Sequence, residues 1–307
     1  GIAFGDIKKQ SFDICADPAL NGPCLAELFA GRSFLEAAQH CASLKGDICT
    51  DSQSWVMRKI SNGSTIYNFK LLPNWTNSFA DNDSNHWNDV NGSTGDNHSP
   101  DSPYLVPCCH NITPPVPGEQ TIAGIRVLKL NNAENATWEV AVNACMALRA
   151  DLCDKGQYRV LRNNGKISAR MWASDHSDND GTNYGMGIGT VSDDPSPSQK
   201  YGYGCCATNR DKLECPAGAT DIEGVCVAKI NNSNVNWSTA ATACSSLGTR
   251  VCSIAQTAVL RKAGKVTTAA SWTASYSDND GGQASVGVGN AGDDHNSSSG
   301  YGYACCY

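Results

Sequence analysis

The chain reads as an α+β protein of three tandem disulfide-closed modules, each with two short helices, a small antiparallel sheet and a long loop. Three observations predict this. The closing phrase Tyr301-Gly302-Tyr303-Ala304-Cys305-Cys306 occurs earlier as Tyr201-Gly202-Tyr203-Gly204-Cys205-Cys206, and in worn form as Tyr104-Leu105-Val106-Pro107-Cys108-Cys109. The first cysteine of each copy lies 33 residues after a tryptophan (Trp75, Trp172, Trp272), and a spacing kept three times in one chain marks an internal repeat. Lastly, the 16 cysteines form an even set. Adjacent cysteines rarely bond each other because the ring is strained, so each Cys-Cys pair must reach two different partners.

A length of 307 residues is long for one core. The repeats divide it into an N-terminal extension, 1–12, and three modules, 13–112, 113–209 and 210–307. Asn111-Ile112-Thr113-Pro114-Pro115-Val116-Pro117-Gly118 reads as a stiff, extended linker. Net charge is −7 without a basic cluster, which argues against nucleic acid as a partner. No apolar run reaches the roughly 18 residues of a membrane span. The chain opens at Gly1 rather than methionine, as expected after removal of a leader or a trimmed start.

The cysteines and the sequons point to one compartment. Zinc favours Cys-x2-4-Cys pairs, whereas this chain shows Cys-x7-Cys and Cys-Cys. Disulfides are therefore expected, and with them a secreted, extracellular home. Ten Asn-x-Ser/Thr sequons predict covalent N-glycans: Asn62, Asn74, Asn82, Asn91, Asn97, Asn111, Asn135, Asn231, Asn236 and Asn296.

Each repeat follows one order of elements. An aromatic, an alanine, a cysteine and a leucine recur at offsets of 3, 4 and 3: Phe34-Ala37-Cys41-Leu44, Trp138-Ala141-Cys145-Leu148 and Trp237-Ala240-Cys244-Leu247. These offsets place all four on one stripe of a helix. Ser33, Thr137 and Asn236 stand where an N-cap belongs, and Ser33 with Glu36 has capping-box spacing. A second cysteine follows eight residues later (Cys49, Cys153, Cys252). A second helix is predicted through Gln53 to Arg58, Gln157 to Arg162 and Gln256 to Arg261, ended by Asn62-Gly63, Gly165 and Gly264. The tryptophan strand leads to Asp-Asn-Asp, then to a loop rich in Gly, Asn, Asp and Ser, then to the Cys-Cys strand.

This order resembles the C-type lectin-like domain. Trp237-Ser238-Thr239-Ala240-Ala241-Thr242-Ala243-Cys244-Ser245-Ser246-Leu247-Gly248, with Trp272 later, is the stretch most similar to it, and Trp87-Asn88-Asp89 matches the family's Trp-Asn-Asp tripeptide. The resemblance implies that Cys41, Cys145 and Cys244 each bond one member of a Cys-Cys pair, namely Cys108 or Cys109, Cys205 or Cys206, and Cys305 or Cys306. It also implies N-terminal hairpins closed by Cys15 with Cys24 and by Cys215 with Cys226. Module 2 lacks such a hairpin bond, showing Pro115 and Arg126 near the matching positions. The sugar-binding tripeptides Glu-Pro-Asn and Gln-Pro-Asp do not occur. With either order of the main bonds, every module closes on itself.

Calcium is the candidate cofactor. Asp81 and Asp83, Asp178 and Asp180, and Asp278 and Asp280 flank the Asp-Asn-Asp turns, and Asp193, Asp194, Asp293 and Asp294 form a later acidic spot. Calcium wants six to eight oxygens, so the two spots would have to combine. The competing reading is turn capping by Asp and Asn. No histidine recurs in register, and no nucleophile elbow or His-Glu-x-x-His occurs, so no enzyme is expected. Ile2, Phe4 and Ile7 lie outside every module and suit docking on a neighbouring copy. The expected function is a structural or adhesive subunit of an extracellular filament, appendage or matrix, self-associating into a polymer. The alternative is a soluble or surface carbohydrate-binding lectin with a glycan ligand.

Overall fold

The computed structural model describes residues 24–50, 52–54, 74–79, 86–90, 94–98, 104–110, 117–176, 183–186, 192–193, 198–207, 215–268, 270–276, 283–287, 294–295 and 299–307. The chain is α+β, with three small sheets, each made from one repeat. The first holds β1 (Cys24–Arg32), β2 (Asp47–Ile48), β3 (Asn74–Phe79), β4 (His86–Val90), β5 (Thr94–His98) and β6 (Tyr104–His110). The second holds β7 (Gln120–Ile122), β8 (Ile125–Ala136), β9 (Asp151–Leu152), β10 (Met171–His176), β11 (Asn183–Met186), β12 (Ser192–Asp193) and β13 (Tyr201–Ala207). The third holds β14 (Thr220–Ile222), β15 (Val225–Val235), β16 (Arg250–Val251), β17 (Ala270–Tyr276), β18 (Gln283–Gly287), β19 (Asp294–His295) and β20 (Tyr301–Cys306).

The first helices are α1 (Phe34–Ser43), α2 (Trp138–Met146) and α4 (Trp237–Ser246), and the second are α3 (Lys155–Asn163) and α5 (Ile254–Lys262). In repeat 1 the described part of the second helix is residues 52–54. The aromatic–alanine–cysteine stripe faces inward in all three first helices, with Phe34, Ala37 and Cys41, then Trp138, Ala141 and Cys145, then Trp237, Ala240 and Cys244 buried. Thr137 and Asn236 cap their helices by accepting from Val140 N and Thr239 N, and the Glu36 carboxylate accepts from the N–H and hydroxyl of Ser33. Each of these helices ends on a left-handed residue, Lys45, Arg149 or Gly248. The two N–H groups that follow the last turn return to its carbonyls, as in Lys45 N to Ala42 O and Gly46 N to Cys41 O.

In each sheet the Cys-Cys strand is central. It pairs antiparallel with the long strand β1, β8 or β15 and with the two-residue strand β2, β9 or β16. Its other neighbour is the tryptophan strand, and that pairing is parallel (β3–β6, β10–β13, β17–β20). The expectation of a wholly antiparallel sheet is thus corrected. In repeats 2 and 3 two antiparallel reversals, through β11 and β12 or β18 and β19, turn the chain back to its starting direction before it closes.

Among the described residues, seven disulfides fasten this arrangement. Cys41 bonds Cys108, Cys145 bonds Cys205 and Cys244 bonds Cys305, while Cys49 bonds Cys109, Cys153 bonds Cys206 and Cys252 bonds Cys306. Neighbouring residues of a strand point to opposite faces. One cysteine of each pair therefore reaches the first helix and the other reaches the start of the second. Cys215–Cys226 closes the hairpin of repeat 3, and Cys15 lies outside the described residues.

The tryptophans belong to the core. Trp75, Trp172 and Trp272 are fully buried, and their indole N–H groups donate to Arg32 O, Ala136 O and Val235 O at 2.8–2.9 Å. Tyr104, Tyr201 and Tyr301 pack on these rings at centroid distances of 4.7–4.9 Å. The cores do not stop at the repeat boundaries. One cluster joins Phe34, Cys41 and Trp75 of repeat 1 to Ile254, Val259 and Leu260 of repeat 3, and another joins Tyr158 and Leu161 of repeat 2 to Trp237 and Cys244 of repeat 3.

Candidate functional site: the hub where the repeats meet

The repeats meet through one contact used three times. The two-residue strand before the second cysteine starts with Asp47, Asp151 or Arg250, and the residue after that cysteine is Thr50, Asp154 or Ser253. Thr50 donates from Oγ1 to Asp151 Oδ2 at 2.6 Å, linking repeat 1 to repeat 2. Asp154 pairs with Arg250 at 3.6 Å, linking repeat 2 to repeat 3. The Ser253 hydroxyl bonds Asp47, linking repeat 3 to repeat 1. The ring of repeats is closed.

The same residues start the second helices. Thr50 with Gln53, Asp154 with Gln157 and Ser253 with Gln256 exchange hydrogen bonds in capping-box fashion. Helix caps and inter-repeat contacts are therefore one structure. Further bonds cross the boundaries. Ser52 donates from Oγ to Asp151 Oδ1, and the Asn77 amide donates to Asp47 Oδ2 at 2.9 Å while accepting from Ala255 N at 3.3 Å. Arg250 lies 3.6 Å from Asp47 as well as from Asp154. Lys155, fully buried, holds its ammonium over the Trp237 indole, 5.8 Å from the ring centre.

Burial governs the electrostatics. It raises the carboxyls of Asp47 and Asp154 above the usual carboxylate range, against the opposing pull of Arg250. It pushes Asp151 up to about 6, against the hydroxyls of Ser52 and Thr50. Tyr158, raised by burial, donates to Trp172 O at 2.6 Å and accepts from Gly204 N at 2.8 Å, which ties the parallel pair β10–β13 to α3.

A second contact lies outside the hub. The turn of the β7–β8 hairpin brings Gly124 against the carbonyl of Ser245 at the end of α4, and the β14–β15 turn brings Gly224 against the carbonyl of Ala42 at the end of α1. Both glycines are left-handed, at φ 86° and 93°. Small clefts lie beside them, one lined by Gln157, Arg250 and Tyr307 and the other by Asp47, Gln256 and Tyr307. Chemically, hub and seats can bind protons and hold repeats together.

The sites expected from sequence fall mostly elsewhere. Of the calcium candidates, Asp193 lies in β12 and Asp294 in β19. Asp81, Asp83, Asp178, Asp180, Asp194, Asp278, Asp280 and Asp293 lie outside the described residues, as do Ile2, Phe4 and Ile7. Among the described residues no group of three metal-ligating side chains gathers. Of the sequons, Asn74 starts β3 and Asn97 lies in β5, while Asn135 on β8 and Asn236 at the cap of α4 are exposed. Asn231 on β15 is half-buried, and Asn62, Asn82, Asn91, Asn111 and Asn296 lie outside the described residues. Trp87-Asn88-Asp89 falls in β4. The hub was missed by sequence reasoning, although its signal, the positions flanking Cys49, Cys153 and Cys252, was in plain view. No helix among the described residues is long and apolar enough to cross a membrane. No family model, curated protein or solved structure matches the chain.

Proposed function

We propose that the protein is a structural or adhesive subunit of an extracellular filament, appendage or matrix, and that its three repeats are divergent C-type lectin-like modules carrying N-glycans. The observation that carries this reading is the closed ring: three repeats share cores and a buried polar hub, and seven disulfides among the described residues fasten them. Such a chain is a rigid block, not a string of independent binding heads. Disulfide density suits an oxidising, extracytoplasmic setting. In the contacts between repeats 2 and 3 and between repeats 3 and 1, hairpin turns and helix ends are already used within the chain. A polymer contact must then use other surfaces, and the extension bearing Ile2, Phe4 and Ile7 is the segment suited to it. A contact of that kind repeated head to tail propagates as a filament when it does not close.

Negative-stain imaging of purified protein, full-length and lacking residues 1–9, tests this. Filaments from the full chain and folded, disulfide-intact monomers from the truncated one are expected. Monomers from both, together with calcium-dependent retention on a glycan surface and a melting temperature raised by calcium, would favour the lectin alternative.

A further inference from the structure

We propose that the hub is a proton-operated latch: in mildly acid solution it takes up one proton, on Asp151, and the ring of repeats is held most tightly with that proton bound. This stands whether or not the protein polymerises.

The first ground is charge. The hub gathers the carboxylates of Asp47, Asp151 and Asp154, against two cations, Arg250 and the buried Lys155. One proton would balance it. The second ground is the identity of the partners. Asp47 accepts from the Asn77 amide and the Ile48 N–H and faces Arg250, while Asp154 accepts from the Gln157 N–H and faces Arg250. Apart from the Ser253 hydroxyl beside Asp47, all of these only donate, and the Arg250 cation 3.6 Å from both carboxyls opposes a proton on either. Asp151 differs. Its Oδ1 accepts from Leu152 N at 2.8 Å and from Ser52 Oγ, but its Oδ2 faces the Thr50 hydroxyl at 2.6 Å. A hydroxyl both donates and accepts. Protonated on Oδ2, Asp151 donates to Thr50 Oγ1, whose hydrogen turns to Ser52 Oγ at 3.2 Å, while Ser52 still donates to Oδ1. The bonds between repeats 1 and 2 survive, and the buried negative charge is gone.

Other groups around Asp151 do not supply an alternative. On its own segment these are Asp154, Lys155 and Tyr158, from repeat 1 Asp47, and from repeat 3 Arg250. Strand β13 adds Tyr201 and Tyr203, and α2 adds the exposed Glu139 and the disulfide-bonded Cys145. Residues 171–174 of β10 bring no titratable side chain.

The sign follows from linkage. A carboxyl raised by burial from 3.8 to about 6 holds its proton about 100-fold more tightly in the folded chain. Its contribution is fully present below the unfolded value and is lost as pH rises through the folded one, between about 4 and about 6.

Thermal melts of the full, disulfide-intact chain from about pH 4 to about pH 8, with infrared spectra of the carboxyl C=O stretch, test the latch. The wild type should melt progressively lower as pH rises through about 6. It should also show a protonated-carboxyl band in acid that disappears near neutral pH. Asp151→Asn should lose the part of the band that titrates near about 6, together with that part of the slope, and at about pH 8 should melt above wild type, whereas Asp154→Asn should keep that part of the band. Should Asp151→Asn fail to fold, Thr50→Val, which removes the proton's acceptor, should move the midpoint of the band. A wild type without the band, or a band unchanged in Asp151→Asn or in Thr50→Val, overturns the proposal.

Discussion

Arg126 stands in repeat 2 where repeat 3 has Cys226, and its guanidinium grips Glu119 with Nε–Oε1 at 3.3 Å and Nη2–Oε2 at 2.7 Å. The β14–β15 hairpin is closed by Cys215–Cys226, and the β7–β8 hairpin is held at the corresponding strand position by this two-pronged ion pair. Both hairpins must be rigid, because each carries the glycine turn that seats on another repeat. Arg126 is nearly buried, so its pair is poorly screened. Arg126→Ala should cost about 1.5–3 kcal/mol in chemical denaturation, the range for hydrogen bonds to charged groups. Hydrogen exchange should show the loss spreading from β7 to the end of α4.

Loop length separates two disulfides. Cys145–Cys205 spans 60 residues and Cys215–Cys226 spans 11. In the chain-entropy model they contribute about 4 and about 3 kcal/mol. Replacing each pair by alanines should show that order in urea melts, and the first replacement should also loosen α2 from β13, as near-ultraviolet circular dichroism would report.

Much of a single repeat could be read from residues alone. The offsets of Trp237, Ala240 and Cys244 fix a helical face, whereas Leu247, expected on the same stripe, caps the helix end and is exposed; Gly165 and Gly264 do lie in left-handed conformations at the ends of α3 and α5. The parallel pairing at Trp172 and Tyr203 could not be read, because a period of two gives the faces of a strand but not the direction of its neighbour. The union of the repeats was hidden for a different reason. Asp47, Asp151 and Arg250 occupy one position with opposite charges, so similarity between repeats weakens at the place where they touch. Phe34 and Ile254 also look like residues of separate cores, and only the tertiary structure brings them into one.

Gly224 and Gly118 share a left-handed backbone, φ 93° and 86°, but not their surroundings. A Cβ on Gly224 would run into the carbonyl of Ala42, whereas one on Gly118 meets nothing within 4 Å. Gly118→Ala should cost only the backbone term, about 1–2 kcal/mol. Gly224→Ala adds the clash and should cost more, with the transitions of repeats 1 and 3 separating in a calorimetric scan that is single for wild type.

Arg250 is the position where the three repeats can least be exchanged. Its guanidinium lies 3.6 Å from both Asp47 and Asp154, in a site where burial already raises both carboxyls. Replacing it by Met leaves two buried carboxylates without their shared cation, and losing one partner of such a pair costs about 3–5 kcal/mol. The loss should be largest at neutral pH and shrink in acid, where the carboxyls protonate, because raised carboxyls lose their stabilising contribution as pH rises. Arg250→Asp should be worse than Arg250→Met, since it puts Asp at all three equivalent positions. Arg250→Met combined with Asp47→Asn and Asp154→Asn should recover much of the loss, as amides carry no charge to leave unpaired. Urea denaturation at two pH values for these three variants decides the matter. Equal losses for Met and Asp, or a loss independent of pH, would mean that Arg250 acts through packing and not through charge.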